Sequence, residues 1–401
     1  MQYNFDEIID RRHTNAVNVE AYRTAIFNDP EREISFCRPE DELIRMWVAD
    51  MEFATPDVII DGIRKCLNQR IFGYTRVYEP AYFEALAHWT QTHYGWTFPK
   101  EQLVTSNGIV PALYELVDYI CAPDEKVLIF TPSYGPFRRA ADLNHRECLH
   151  SDLLYDDGCY TIDWQDVAAK LDDPKVTLCI FCNPHNPTGR LWTQEELQKL
   201  GELCIQRGVW IISDEIHCDL LRTGKSHIPL AKLFPEYPRV ITCMAPSKTF
   251  NIAGLMFSNI IIPDKPLRKK WLSCYHNSDN PLSIAAAQAA YESGTDWLEG
   301  LRVYLDSNLA LVKETLSQRL PKAIFRIPDA TYLAWIDLRA YFDPEEDLSL
   351  FFAQNAGVLL EGSKMFVQNA DGFIRLSLAC PRATVQEAMR RICDAVNARD
   401  A

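Results

Sequence analysis

Short apolar, β-rich runs recur through the middle of the chain at residues 126–130, 176–182, 209–213, 240–244 and 255–262, and each has the length of one strand. Between several of them the apolar positions adopt a helical period, as over residues 195–207, which open on the capping box Thr193-x-x-Glu196. Strands apolar on both faces and separated by helices predict a sheet buried on both sides, hence mostly parallel and doubly wound. Upstream, helical patterns cover residues 57–70, 81–94 and 110–121, with a short strand at 103–105; residues 1–45 are polar and irregular. After Ser283 the texture changes. A small-residue helix (IAAAQAAYES) is followed by a long helical pattern at 297–320, strands at 324–327, 331–338 and 373–379, and a last helix capped by Thr384 with Glu387. The expected fold is therefore α/β, with a large domain over 46–285. A smaller α+β domain is expected over 286–401, joined by the arm 1–45.

Composition narrows the function. In 401 residues, 47% are hydrophobic and 24% charged, so a sizeable core is available. The net charge of −14 disfavours nucleic acid and anionic membranes, both of which would repel the chain, and favours a small metabolite. No apolar run approaches the ~20 residues of a membrane span. The opening MQYNFDEIID lacks the apolar stretch of a secretory leader, and the 13 cysteines follow no regular framework, so a cytoplasmic protein with reduced thiols is expected. Cys179 and Cys182 form a C-x-x-C without a second pair. Three positions apart in a strand they face opposite sides, so no metal site is expected.

Chemistry concentrates where polar residues interrupt apolar runs. Lys248 is the one charged side chain in VITCMAPSKTFNIAGLMFSNIIIP. A desolvated lysine tends to lose its proton and become a nucleophile; its standard use is a Schiff base, most often with the aldehyde of pyridoxal phosphate. A loop lysine whose amine reaches solvent reads equally well from this window alone. Asp214 ends the run 209–213, where an acid can hold a pyridine nitrogen protonated or simply cap a helix. Another run ends in Cys182-Asn183-Pro184-His185-Asn186-Pro187-Thr188-Gly189-Arg190, whose density of turn residues aims a side chain, with Asn186 the candidate. Thr105-Ser106-Asn107-Gly108-Ile109 joins a strand to a helix, and its backbone amides can receive a phosphate.

Together, N-P-x-N-P-T-G, then D-E, then S-K-T, in that order, resemble the fold-type I pyridoxal-phosphate enzymes of the class I/II aminotransferase superfamily over essentially the whole chain. The resemblance implies that Lys248 forms the imine with the cofactor, Asp214 pairs with the pyridine nitrogen and Asn186 meets the ring oxygen. It also implies that Tyr134 stacks on the ring and that Gly108, Ile109 and Val110 hold the phosphate through their amides. Arg375, in Phe-Ile-Arg-Leu-Ser, takes the position that grips a substrate α-carboxylate, where Asn186 also lies. The family's homodimer with shared active sites implies that Tyr74 reaches the neighbour's phosphate site.

Departures from the aminotransferase pattern narrow the branch. His217 stands where better-known members carry a tyrosine to the ring oxygen, Ala245 replaces the first serine of S-x-S-K, and Met256 replaces a phosphate-binding arginine, leaving Ser247 or Tyr74 for the phosphate. With Trp47-Val-Ala-Asp-Met-Glu-Phe53, Asn-Pro-His-Asn-Pro and Asp-Glu-Ile-His, these features are similar to the MalY/PatB-type cystathionine β-lyases, in which Ala49 would meet the substrate carboxylate through its amide. His185 and His217 read equally as acid–base groups or as hydrogen-bonded structural histidines. The expected activity is carbon–sulfur β-elimination on an L-cysteine S-conjugate. An aminotransferase, or a regulatory binding protein retaining the cofactor, are the alternatives.

Overall fold

Seven strands build the central sheet of the computed structural model, which describes residues 3–29, 31–274 and 278–399: β1 (Leu103–Ser106), β2 (Lys126–Thr131), β3 (Glu147–Asp152), β4 (Val176–Cys182), β5 (Trp210–Asp214), β6 (Val240–Met244) and β7 (Ser258–Ile261). Their order is β1–β7–β6–β5–β4–β2–β3, and of the seven β7 alone runs against its neighbours. The sheet is thus mixed but mostly parallel, as the continuous apolar runs require. One face is covered by the helices Ile109–Ile120 and Gly135–Leu143 and by Trp271; the other carries helices that include Pro80–Tyr94, Gln194–Arg207 and Pro281–Ser293. Cys179 and Cys182 fall in the two opposite cores, so the C-x-x-C is split by the sheet.

The small residues of Pro281–Ser293 have a packing reason. A Cβ on Gly62 of the helix Asp57–Leu67 would stand 2.8 Å from the Ala289 Cβ, so these two helices approach as only small side chains allow. A second core joins the antiparallel pair β8 (Leu333–Asp337) and β9 (Phe373–Ser377) to the helices Leu348–Asn355 and Arg382–Arg399 and to the distal half of Thr295–Arg319. The N-terminal segment leans on it: Tyr22, Ile26, Phe27 and Trp47 pack with Ala353 and Leu359, and Ile44–Arg45 pairs in parallel with Val358–Leu359.

Several boundaries differ from the sequence expectation. The run at 255–262 starts as a strand only at Ser258, because Ala253–Leu255 make a 3-10 turn and Met256 adopts φ 52°, which breaks extension. No strand forms at 324–327, where Ile324 makes a single bridge to Asp337. The helix expected to run to Arg70 ends at Leu67, and the last helix starts at Arg382, which puts Thr384 inside its first turn rather than at its cap. The strand at 331–338 shortens to Leu333–Asp337 because Thr331 sits at φ 72°.

Candidate active site

The strands β1, β2, β4, β5 and β6 point their carboxyl ends to one edge of the sheet, and there the motif residues converge. A cavity of about 200 Å³ opens at this edge, bounded by Lys248, Asp214, Asn186, Tyr134 and the start of the helix at Ile109, with His217, Ser247, Ala49 and Met256 also on its wall. Lys248 follows β6, and its Nζ donates to the Ala49 carbonyl at 2.8 Å. Burial, aided by Arg375, lowers the pKa of this amine, while Asp50, Asp214 and Glu361 oppose the shift. Ala49 therefore meets the lysine through its carbonyl.

Asp214 ends β5, level with Cys182 on one side and Cys243 on the other. It is 5% exposed, and its Oδ1 accepts from the Ile216 amide at 3.1 Å. Burial pushes its carboxyl up to about 7; Glu215 adds to the shift, and the Ile216 amide and Lys248 oppose it. A carboxylate held this way is stabilised by any cationic N–H that enters the cavity. Burial also pushes His185 and His217 down to about 3, so both imidazoles are neutral near pH 7. They then diverge. His185 Nδ1 is 2.8 Å from Thr188 Oγ1 and serves the turn, whereas His217 faces the cavity with a buried Nδ1 that has no partner among the described residues.

Between β4 and the helix at Gln194 the chain folds back on itself: His185 donates its amide to Arg190 O at 2.8 Å and Gly189 to His185 O at 2.7 Å. Asn186 is thereby aimed at the cavity, and its Oδ1 accepts from Arg375 Nη1 at 3.0 Å, which leaves its amide nitrogen to donate to a ligand. Arg375 stands behind Asn186, 2% exposed, and also donates through Nη2 to Trp47 O at 3.2 Å. Tyr134 forms another wall, edge-on to Phe137 at 5.9 Å, its phenol pushed up to about 12 by burial and hence neutral. At the far end the first turn of Ile109–Ile120 presents the amides of Gly108, Ile109 and Val110, a turn whose donors have no intrahelical acceptor. Tyr74 stays outside the cavity: it is fully exposed, on a surface groove bordered by Asn107 and Met256.

The profile of the family described as aminotransferase class I and II matches residues 42–392. The chain belongs to this family. Among its relatives, cystathionine beta-lyase PatB of Bacillus subtilis (strain 168) is 41% identical, covering 88% of this chain and 92% of that protein, and protein MalY of Escherichia coli (strain K12) is 30% identical over 89% and 92%. Solved structures agree. The pyridoxal-phosphate-bound C-S lyase from Staphylococcus hominis superposes with a TM-score of 0.93 at 50% identity over 99% of this chain and 98% of its own. Cystalysin of Treponema denticola, which contains a pyridoxal 5'-phosphate cofactor, does so at 0.93 and 30% identity over the full length of both.

Two buried residues next to Arg375 and His217 in this class I and II aminotransferase family member belong to no motif. Glu361 pairs with Arg375 through Oε2, and Tyr332 buries a hydroxyl without a partner among the described residues, its ring 6.3 Å from that of His217. For Glu361 the available signal was a lone charge closing the apolar run Val358-Leu-Leu360. Tyr332 gives none, since a tyrosine inside an apolar strand looks like core.

Proposed function

We propose that this chain is a pyridoxal-phosphate-dependent carbon–sulfur β-lyase that converts L-cystathionine, or another L-cysteine S-conjugate, and water to pyruvate, ammonia and a thiol. One observation carries the reading: Lys248 and the buried Asp214 face the same cavity, whose far end offers the amides of a helix N-terminus. That set fits the cofactor group by group. Lys248 would hold its aldehyde carbon, Asp214 its pyridine N–H, Asn186 its ring oxygen, Tyr134 its ring face, and Gly108, Ile109, Val110 and Ser247 its phosphate. Bound there, pyridoxal phosphate supplies an electron sink for negative charge developing at the substrate's Cα.

The chain's own residues supply the rest. Arg375 fixes the α-carboxylate, so that the Cα–H bond points at Lys248. The amine of Lys248, its pKa lowered by burial, takes the Cα proton as general base. Asp214 keeps its charge because it faces a cation. Sulfur then leaves Cβ with the bonding pair and takes a proton from Lys248 or from the neutral phenol of Tyr134. His217, neutral in this site, serves as a hydrogen-bonding group rather than an acid. The working unit in this reading is a homodimer whose active sites are shared through Tyr74, located in the cytoplasm, where thirteen unpaired thiols would stay reduced. Among the described residues no helix is long and apolar enough to cross a membrane.

The test is a product assay on purified protein with L-cystathionine and no keto acid, in which stoichiometric pyruvate, ammonia and thiol are expected. Absence of pyruvate, with ready amino exchange between alanine and a keto acid, replaces this reading with an aminotransferase.

A further inference from the structure

We propose that Glu361 is a specificity-determining residue: by pairing with Arg375 it leaves the α-carboxylate subsite without net charge, so that ligands carrying a second, uncompensated carboxylate are rejected. The proposal rests on the lyase reading only in taking Arg375 as the group that binds the carboxylate. The two residues lie opposite one another across a backbone bridge, with Arg375 N donating to Glu361 O at 2.7 Å and Glu361 N to Arg375 O at 3.2 Å. Directly opposed residues carry their side chains on the same face, and here the Arg375 Nη2 and Glu361 Oε2 form an ion pair in a site where both residues are under a tenth exposed. The pair is fixed from behind: Gly362 N donates to Ser349 Oγ at 2.8 Å, and a Cβ at 362 would meet that same oxygen at 2.8 Å.

Among the described residues the other acceptors around the guanidinium are neutral, namely Asn186 Oδ1 and Trp47 O, and Arg375 Nε is buried with no acceptor, a donor left for a ligand oxygen. Among the described residues Glu361 is therefore the one anion in contact with this arginine. An α-carboxylate adds a negative charge beside a pair that already sums to zero, and it has the Arg375 Nε–H to accept from. A second carboxylate meets repulsion instead, strengthened by burial. Mono-carboxylate amino acids with neutral or zwitterionic side chains fit; dicarboxylic amino acids and oxo acids do not.

The experiment uses the holoenzyme and three forms, wild type, Glu361→Gln and Glu361→Asp, with propionate and succinate as probes, read by titration calorimetry and by inhibition of pyruvate formation. In Glu361→Gln both acids should bind more tightly, with succinate gaining about tenfold more than propionate, while Glu361→Asp keeps the wild-type preference. An unchanged succinate-to-propionate ratio in Glu361→Gln, or no binding of either acid, overturns the proposal. Wild type alone supplies a second measurement, the kcat/KM for S-propyl-L-cysteine against S-(2-carboxyethyl)-L-cysteine. A preference for the former of about tenfold is expected, and equal or reversed values overturn the proposal. If wild type cleaves neither conjugate the lyase reading fails, whereas calorimetry still decides the role of Glu361.

Discussion

At the residue scale, Asp214 links the cofactor to pH. In the cofactor-free protein its carboxyl is raised from 3.8 to about 7 by burial, so between those values the native state holds a proton that the unfolded chain has released. Stability from this group is therefore highest below pH 4 and falls as pH rises to 7, by about 4 kcal/mol in all. Urea unfolding of the cofactor-free protein at pH 5 and pH 8 should show the part of that loss above pH 5, about 3 kcal/mol, and Asp214→Asn should remove it; parallel curves would contradict the assignment. In the holoenzyme the same substitution should leave the cofactor attached yet lower turnover roughly a hundredfold or more, because a neutral amide does not hold the pyridine nitrogen protonated. Lys248→Ala tests the other end of the cavity. Borohydride reduction followed by mass spectrometry should fix the cofactor to the peptide carrying Lys248 in wild type and to no peptide in the variant. Labelling of another lysine would displace Lys248 from the centre of the site.

At the element scale the turn 183–190 is the piece that cannot absorb change. Gly189 sits at φ 67°, and a Cβ there would come within 2.3 Å of the Pro328 Cβ and 2.9 Å of Ala330 O. Gly189→Ala should cost about 2–4 kcal/mol of unfolding free energy and weaken cofactor binding, because the displaced backbone carries Asn186 away from the cavity. Thr193→Ala, four residues on, is the contrast: it removes one half of a capping box and should cost about 1 kcal/mol with turnover unchanged, a difference readable by denaturation and a pyruvate assay. The two positions also mark what sequence makes legible. The capping box and the strands Val176–Cys182 and Val240–Met244 lie where the pattern puts them, because local chemistry dictates each. The edge strand Glu147–Asp152 escaped notice because ECLHSD, with one buried residue of six, carries no apolar run. Lys248, Asp214 and Asn186 were visible as polar residues punctuating apolar ones. The Glu361–Arg375 contact was not, since no periodicity connects residues joined by one isolated bridge.

For the whole molecule, the distribution of exposed apolar surface bears on assembly. Ile71, Phe72, Tyr74 and Tyr78 are 81%, 53%, 102% and 74% exposed within eight residues of sequence, beside a groove that runs along Asn107 and Met256 at the cavity rim. Such a cluster of large side chains is costly to leave in water and marks a contact surface. Its place beside the cavity gives the contact a chemical consequence, because a partner's Tyr74 arriving at the groove would bring a hydroxyl to the end where Met256 offers no cation for a phosphate. The holoenzyme should therefore be a dimer by light scattering. Tyr74→Phe, which keeps the ring and removes the hydroxyl, should preserve the dimer and weaken cofactor affinity by about tenfold, the loss of one hydrogen bond to a charged group. Titration of cofactor into the stripped variant measures this directly. A fully active monomer, or unchanged affinity in Tyr74→Phe, would mean that one chain completes its own phosphate site, leaving the helix amides and Ser247 to hold the anion unaided.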